Sequence, residues 1–278
     1  MSDARLSRSF AKGSPWLSSR YPLEDDQIRR VAPSIFAAEA HGSRSDRYTY
    51  IPTIEVLNGL RGEGFQPFMV AQTRVRVDDR RDFTKHMIRL RKPDQIHICE
   101  ANEVILLNSH DGTSSYQMLG GVLRFVCMNG MVCGKDIQDV RVPHKGNVVH
   151  EVIEGAYSVV EQFDKIEAQK DGMRSLALPY EGQRAFATAA LALRYDPEDG
   201  PAPIESERLL TVRRSEDRAS DLWTTFNRVQ ENMTQGGLSG HSASGRRMHT
   251  RPMHGIGENV KINRALWVLA EEMRKIAA

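Results

Sequence analysis

Residues 65–91 read FQPFMVAQTRVRVDDRRDFTKHMIRLR, and the alternation in this stretch decides the fold class. From Phe65 to Val77 the odd positions Phe65, Met69, Ala71, Val75 and Val77 are apolar, while Gln72, Arg74 and Arg76 hold even positions. A period of two is the signature of a strand with one face turned inward. Thr84–Arg91 repeats it, with His86, Ile88 and Leu90 on one side and Lys85, Met87, Arg89 and Arg91 on the other. The charged run Asp78–Asp82 between them reads as a hairpin turn. With the apolar faces inward, Arg74, Arg76, Lys85, Arg89 and Arg91 share the outer face, and an open cationic sheet surface is expected.

The pattern extends downstream. Strands are expected at Gln95–Glu100, Glu103–Ser109 and Ser115–Met128, with a tight turn at Ala101-Asn102. NSHDGTSS (108–115) is a turn in which Asp111-Gly112 supplies residues tolerant of positive φ. Gly120-Gly121 marks a bulge or a close backbone approach, and Asn129-Gly130 a further turn. After Pro143 the period becomes helical. Asn147–Lys170 places Val149, Val152, Ile153, Ala156, Val160 and Phe163 on one face, with Asn147 as a reasonable cap. Helices follow at Glu181–Tyr195, Ser220–Met233 and Glu258–Ala277, with the acidic connection Asp196–Pro203 after the first of them. Upstream, Pro52–Arg61 forms a helix that Thr53 can cap, with Ile54, Leu57 and Leu60 as its stripe. Residues 1–50 read as a partly disordered arm with short helical turns near Asp26–Ala38. Residues 51–278 then form one α+β domain, β-rich over 65–142 and helical over 147–278. Its architecture is an antiparallel β-meander followed by C-terminal helices that pack on one face.

Lys and Arg number 38 against 36 Asp and Glu, a net charge of +2, so a nucleic-acid partner can be argued only from local clustering. No apolar run reaches the roughly 18 residues of a membrane span. The N-terminal MSDARLSRSFAKGSPWLSSRYP lacks the apolar core of a secretory signal. Cys99, Cys127 and Cys133 are an odd set with no disulfide framework, and a cytoplasmic location is expected.

Local clustering does occur in the C-terminal run DLWTTFNRVQENMTQGGLSGHSASGRRMHTRPMHGIGENVKINRALWVLAEEMRK (221–275). Between its two helices lies a glycine-rich loop carrying Arg246, Arg247 and Arg251 with His241, His249 and His254, and no acidic residue from Gly236 to His254. Arginine forks match phosphate oxygens, so a mobile cationic loop suits a polyanion. Arg213 and Arg214 extend the patch. Trp223 and Trp267 sit beside apolar stripes, where packing is their ordinary role.

Other chemistries find little support. The three histidines have no carboxylate at ligand spacing, and Cys127 and Cys133 are too far apart for a zinc knuckle, so no metal or other cofactor is expected. A nucleophilic site would need Cys127, His110 and Asp111 to converge. Cys127 reads more simply as a buried strand residue. No phosphate-binding loop, dinucleotide fingerprint or nucleophile elbow is present, so no catalytic residue is assigned and the reading leans away from an enzyme.

NSHDGTSSYQ (108–117), LRFVCMNGMV (123–132), LWTTFNRVQENMTQGG (222–237) and INRALWVLAEEM (262–273) together resemble the phage/plasmid-like domain-of-unknown-function family numbered nine-three-two. The resemblance covers roughly residues 50–277. It implies a mobile-element context (replication, recombination, restriction evasion or maintenance) and carries over no functional residue. Combined with the cation clusters, it leads to an expected nucleic-acid-binding protein favouring single-stranded DNA, with a homo-oligomer left open. Arg74, Arg76, Lys85, Arg89 and Arg91 would track the backbone, Arg246, Arg247 and Arg251 would clamp it from the loop, and Arg213 and Arg214 would extend that patch. The alternative is a protein-interaction or inhibitory module that acts on host defence or replication proteins without nucleic acid.

Overall fold

The computed structural model describes residues 5–6, 15–39, 50, 52–74, 78–93, 99–111, 114–126, 129–134, 139–143 and 147–277. The chain gathers into two compact units, Met1–Met131 with Ile137–Phe163, and Val132–Asp136 with Asp164–Ala278. No helix among the described residues is long and apolar enough to cross a membrane.

The first unit is built on an antiparallel meander. Its strands are β1 (Arg5–Leu6), β2 (Trp16–Ser18), β3 (Gln66–Gln72), β4 (His86–Arg91), β5 (Glu100–Asn108), β6 (Tyr116–Arg124), β7 (Asn129–Val132, whose last residue falls in the second unit) and β8 (Val140–Val142). Among the described residues β1 to β7 lie side by side in chain order, and β8 pairs with β6. Three helices accompany them, α1 (Asp25–Val31), α2 (Thr53–Gly62) and α3 (Val148–Val160). The architecture is the expected α+β meander with helices after it. Within residues 1–50, Trp16–Ser18 pairs with Met69–Ala71, and Ile28 and Ile35 are fully buried. The expected strand over 95–98 falls outside the described residues.

Ala101-Asn102 is not a turn, because β5 runs unbroken through it, with Ala101 opposite Leu123 and Asn102 opposite Val122. The strand is carried by its pairing along the whole of β6, which outweighs the turn propensity of one Asn. Asn129-Gly130 likewise begins β7 rather than forming a turn. Gly120-Gly121 keeps register with β5, so there is no bulge; the requirement is space. A Cβ on Gly121 would lie 2.6 Å from Ile105 Cδ1 and 2.9 Å from the Met131 carbonyl oxygen.

The larger correction concerns the sheet faces. Every residue of β4 and of β5 is buried, on both sides. One side carries His86, Asn108, Tyr116 and Met118. α2 sends Thr53 into this side, and α3 lies so close that a Cβ on Gly155 would collide with the end of Met118. On the other side the sheet curls until the β7 backbone at Met131 lies against Gly121 and Arg89. Residues Arg89 and Arg91 therefore point into the protein.

Thr53 is also not a helix cap. Pro52 holds that position, and the stripe that α2 buries is Thr53, Val56, Leu57 and Leu60. The expected helix 147–170 is two, α3 and α4 (Phe163–Ser175), separated at Glu161-Gln162, just before the chain passes from one unit to the other after Phe163. No Pro or Gly marks that break.

The second unit contains α4 from Asp164, α5 (Tyr180–Arg194), α6 (Leu222–Gln235), α7 (Ile256–Ala277) and a hairpin of β9 (Ser239–His241) and β10 (Arg247–His249). Its core is aromatic. Trp223 stacks on Phe226 at 5.5 Å between ring centroids, and Trp267 meets both edge-on at 5.9 Å. The Trp267 indole N–H donates to Gln169 Oε1 at 2.9 Å, so the ring is buried with its donor satisfied. α6 begins with Asp221 accepting from the Thr224 N–H at 2.8 Å and ends at Gly236, whose φ of 62° is a left-handed cap.

Candidate nucleic-acid interface

The expected cationic surface divides into arginines with internal partners and arginines that face outward. Arg89 Nη1 lies 2.5 Å from Glu103 Oε2, and Arg91 Nε lies 2.8 Å from Oε1 of the same carboxylate. The Arg89 guanidinium also reaches the Met131 carbonyl at 3.4 Å, and Arg91 lies 4.4 Å from the centre of the Phe68 ring. Burial alone would push the Glu103 carboxyl up. The adjacent Arg91 and Arg89 outweigh that through charge and hydrogen bonding, and hold it below the ordinary carboxylate range. Two arginines placed on an open face by alternation thus form a buried ion triad, because a carboxylate on the neighbouring strand neutralises part of their charge.

Arg213 and Arg214 also have internal work. Arg213 donates to Asn232 Oδ1 at 2.7 Å and to the Gly236 carbonyl at 2.6 Å, satisfying the end of α6 where a cation complements the helix dipole. Arg214 grips both oxygens of the buried Glu231, at 2.6 and 2.5 Å, and reaches Asp217 at 3.0 Å. Of the strand cations, Arg74 is exposed and Lys85 half-buried, and Arg76 lies outside the described residues.

The C-terminal segment read as a mobile loop is an ordered hairpin, with Arg247 opposite His241 and His249 opposite Ser239. Its glycines serve the backbone rather than a phosphate. Gly237 and Gly245 have φ of 81° and 75°, and a Cβ on Gly240 would strike the Pro203 carbonyl. That carbonyl also accepts from the His241 N–H at 2.8 Å, which seats β9 on the segment before it. Arg246, Arg247 and Arg251 are exposed, and none has a carboxylate partner among the described residues.

Beside the hairpin runs an open groove of about 740 Å³, lined by Pro203, Glu205, Arg208, His241, Arg247 and His249 among others. Arg208 was missed in the sequence, where it is a lone cation in SERLL (206–210) with no neighbour to flag it. A second hollow of about 400 Å³ lies next to it, formed by the end of α5 and the turn after it, and both share Pro201 and Ala202. Tyr195 lines this hollow. Burial raises its phenol above the usual range, against the pull of neighbouring Arg194, so it is a neutral ring at physiological pH.

The nucleophile set does not assemble into an open site. His110 is fully buried with its Nε2 3.0 Å from Thr53 Oγ1, and Cys127 lies outside the described residues. No group of three metal-binding side chains occurs among the described residues.

Residues 40–267 match the family model described as Domain of unknown function (DUF932). Two relatives from Escherichia coli (strain K12), UPF0380 protein YafZ and UPF0380 protein YfjQ, are each 54% identical over 252 residues, spanning 91% of this chain and 92% of theirs. No solved structure matches. With the model match running from the sheet through the hairpin into α7, the chain belongs to the DUF932 family.

Proposed function

We propose that this protein binds nucleic acid, single-stranded DNA in preference to duplex, through the β9–β10 hairpin of its second unit. The observation that carries the reading is the set Arg246 and Arg247 on an ordered hairpin and Arg251 just after it, all exposed and without carboxylate partners among the described residues. A guanidinium in that state keeps its donors available for phosphate oxygens. Arg208 on the adjoining groove, which Arg247 also lines, extends the same surface, and the groove's carboxylate, Glu205, is outnumbered by these two. Arg89, Arg91 and Arg214 are left out of the interface, since each is committed to a buried carboxylate. The activity belongs, on this proposal, to the cytoplasmic maintenance or recombination of mobile-element DNA.

The test is fluorescence anisotropy with labelled single- and double-stranded oligonucleotides across a salt gradient. Binding weakens with salt by about 0.7 logarithmic units per phosphate neutralised on a single strand. The variant R246A/R247A/R251A therefore has lower affinity and a salt slope reduced by about 2. Absence of binding at low salt, or a triple variant indistinguishable from wild type, overturns the proposal. Host proteins that remain bound after nuclease treatment, in that event, would favour the interaction-module alternative.

A further inference from the structure

We infer that the hollow at the end of α5 holds a single unpaired nucleobase, while the phosphates flanking that base lie in the cationic groove next to it. The inference rests on the phosphate-binding reading above and adds what the site recognises. The two depressions have Pro201 and Ala202 in common in their walls, and they differ in chemistry. One is lined by Arg208, Arg247, His241 and His249, and the other by Leu191, Ala192, Tyr195 and Pro197. A cationic trough beside a mostly apolar hollow with an aromatic wall matches the two halves of a nucleotide, which is anionic on one side and flat and weakly polar on the other.

The local sequence explains the hollow. α5 stops at Arg194, and Tyr195 leaves the helix in extended backbone with φ of −121°. The Asp196-Pro197 turn then carries the chain out, and Gly200 brings it back with φ of 120°, a conformation that disfavours any side chain. The open hollow between helix and turn has a volume of about 400 Å³, within the range of small-ligand pockets. The Arg194 guanidinium lies 5.3 Å from the centre of the Tyr195 ring and also bonds the Met233 and Arg251 carbonyls, so the ring is backed by a group fixed elsewhere in the same unit. A base in duplex is stacked on both faces and cannot enter such a hollow, which favours single strands.

Three ligands test this: an oligothymidylate, an abasic strand of equal length, and a duplex. Wild type binds the oligothymidylate more tightly than the abasic strand. Tyr195→Ala loses about tenfold for the oligothymidylate, as expected for removing one stacking partner, and keeps its affinity for the abasic strand. Tyr195→Phe restores the loss. Ala192→Leu changes an exposed helical position that lines the hollow, and it repeats the selective loss by filling the space, which guards against a Tyr195→Ala protein that fails to fold. Equal affinity of wild type for the thymidylate and abasic strands overturns the base pocket and leaves the phosphate reading intact. So does a Tyr195→Ala or Ala192→Leu effect that is nil or the same for both strands. If wild type binds neither strand, it is the phosphate reading itself that fails.

Discussion

Replacing Glu103 with Gln removes one negative charge from between two buried arginines and changes almost nothing else in shape. In the folded protein the carboxylate is fully buried, with Arg89 at 2.5 Å on one oxygen and Arg91 at 2.8 Å on the other. The substituted side chain could accept one of these hydrogen bonds through its carbonyl, but its amide would face a guanidinium with donor against donor. Two cations would remain out of water without a counter-ion, and breaking a buried pair in this way costs about 3–5 kcal/mol. For a unit of this size that lowers the melting temperature by on the order of 10 °C. Urea unfolding followed by circular dichroism measures the loss. The triple change Arg89→Met, Glu103→Leu and Arg91→Leu, which removes all three charges, should be far milder than Glu103→Gln alone, since exchanging a whole buried ion cluster for apolar side chains is often neutral.

The pH dependence provides an independent check. Because the folded-state pKa of Glu103 is lowered, its contribution is complete at any pH above the unfolded-state value and is lost as pH falls through the folded one. The gap between wild type and Glu103→Gln should therefore be constant from neutral pH down to about 5, and narrow in more acid solution. A gap below about 1 kcal/mol at pH 7, or one that widens on acidification, would refute the buried triad as described.

Four further outcomes follow from the packing. Gly130→Ala puts a methyl group onto the Arg89 guanidinium and should cost about 2–4 kcal/mol in urea unfolding; the penalty shrinks in an Arg89→Met background if that contact is its cause. Thr53→Val keeps volume but removes a hydroxyl that lies 3.0 Å from both His86 and His110 and accepts from Asn108 at 3.1 Å, for a loss of about 1–3 kcal/mol measured the same way. Arg214→Ala strands the buried Glu231 and should destabilise by about 2–4 kcal/mol, whereas Arg246→Ala stays within about 0.5 kcal/mol of wild type by thermal melting. Gly240→Ala displaces β9 from the Pro203 carbonyl, and its signature is faster amide exchange at His241 with the α6–α7 core still protected.

The sheet and the long helices could be read from periodicity, and α5, α6 and α7 begin and end within about two residues of where their apolar stripes place them. The site was harder to read, because alternation reports only which side chains share a face and not whether that face meets water. HMIRLR has the pattern of a half-exposed strand, yet both its faces are covered. A clue was present in ANEVILLN, where Glu103 stands in a run too apolar to leave a carboxylate unpaired. Placing a turn at Ala101-Asn102 moved Glu103 to a strand end and hid its pairing with Arg91. The hairpin was obscured for a related reason. GGLSGHSASG has the composition of a linker, and only the contact of Gly240 with Pro203, far upstream in the chain, turns it into a seated strand. Such contacts belong to tertiary structure and leave no local trace.

An arginine indicates a ligand only if the fold gives it no carboxylate, and sequence proximity is a poor guide to that. Arg89 and Arg91 are matched by a residue twelve or more positions away, and Arg214 by one seventeen away as well as by Asp217 close by. Arg246 and Arg247 lie on a hairpin whose own strands contain no acid, so the backbone pairing that orders them cannot also neutralise them, and Arg251 follows two residues after β10. Order matters for binding as much as charge does. A mobile loop must lose conformational freedom to align several guanidinium groups, whereas a hairpin fixed by its turn and by the Pro203 carbonyl has lost it on folding. Loosening the hairpin with Gly240→Ala should therefore weaken oligonucleotide binding while every arginine remains in the chain. A charge-only interface would not register the change.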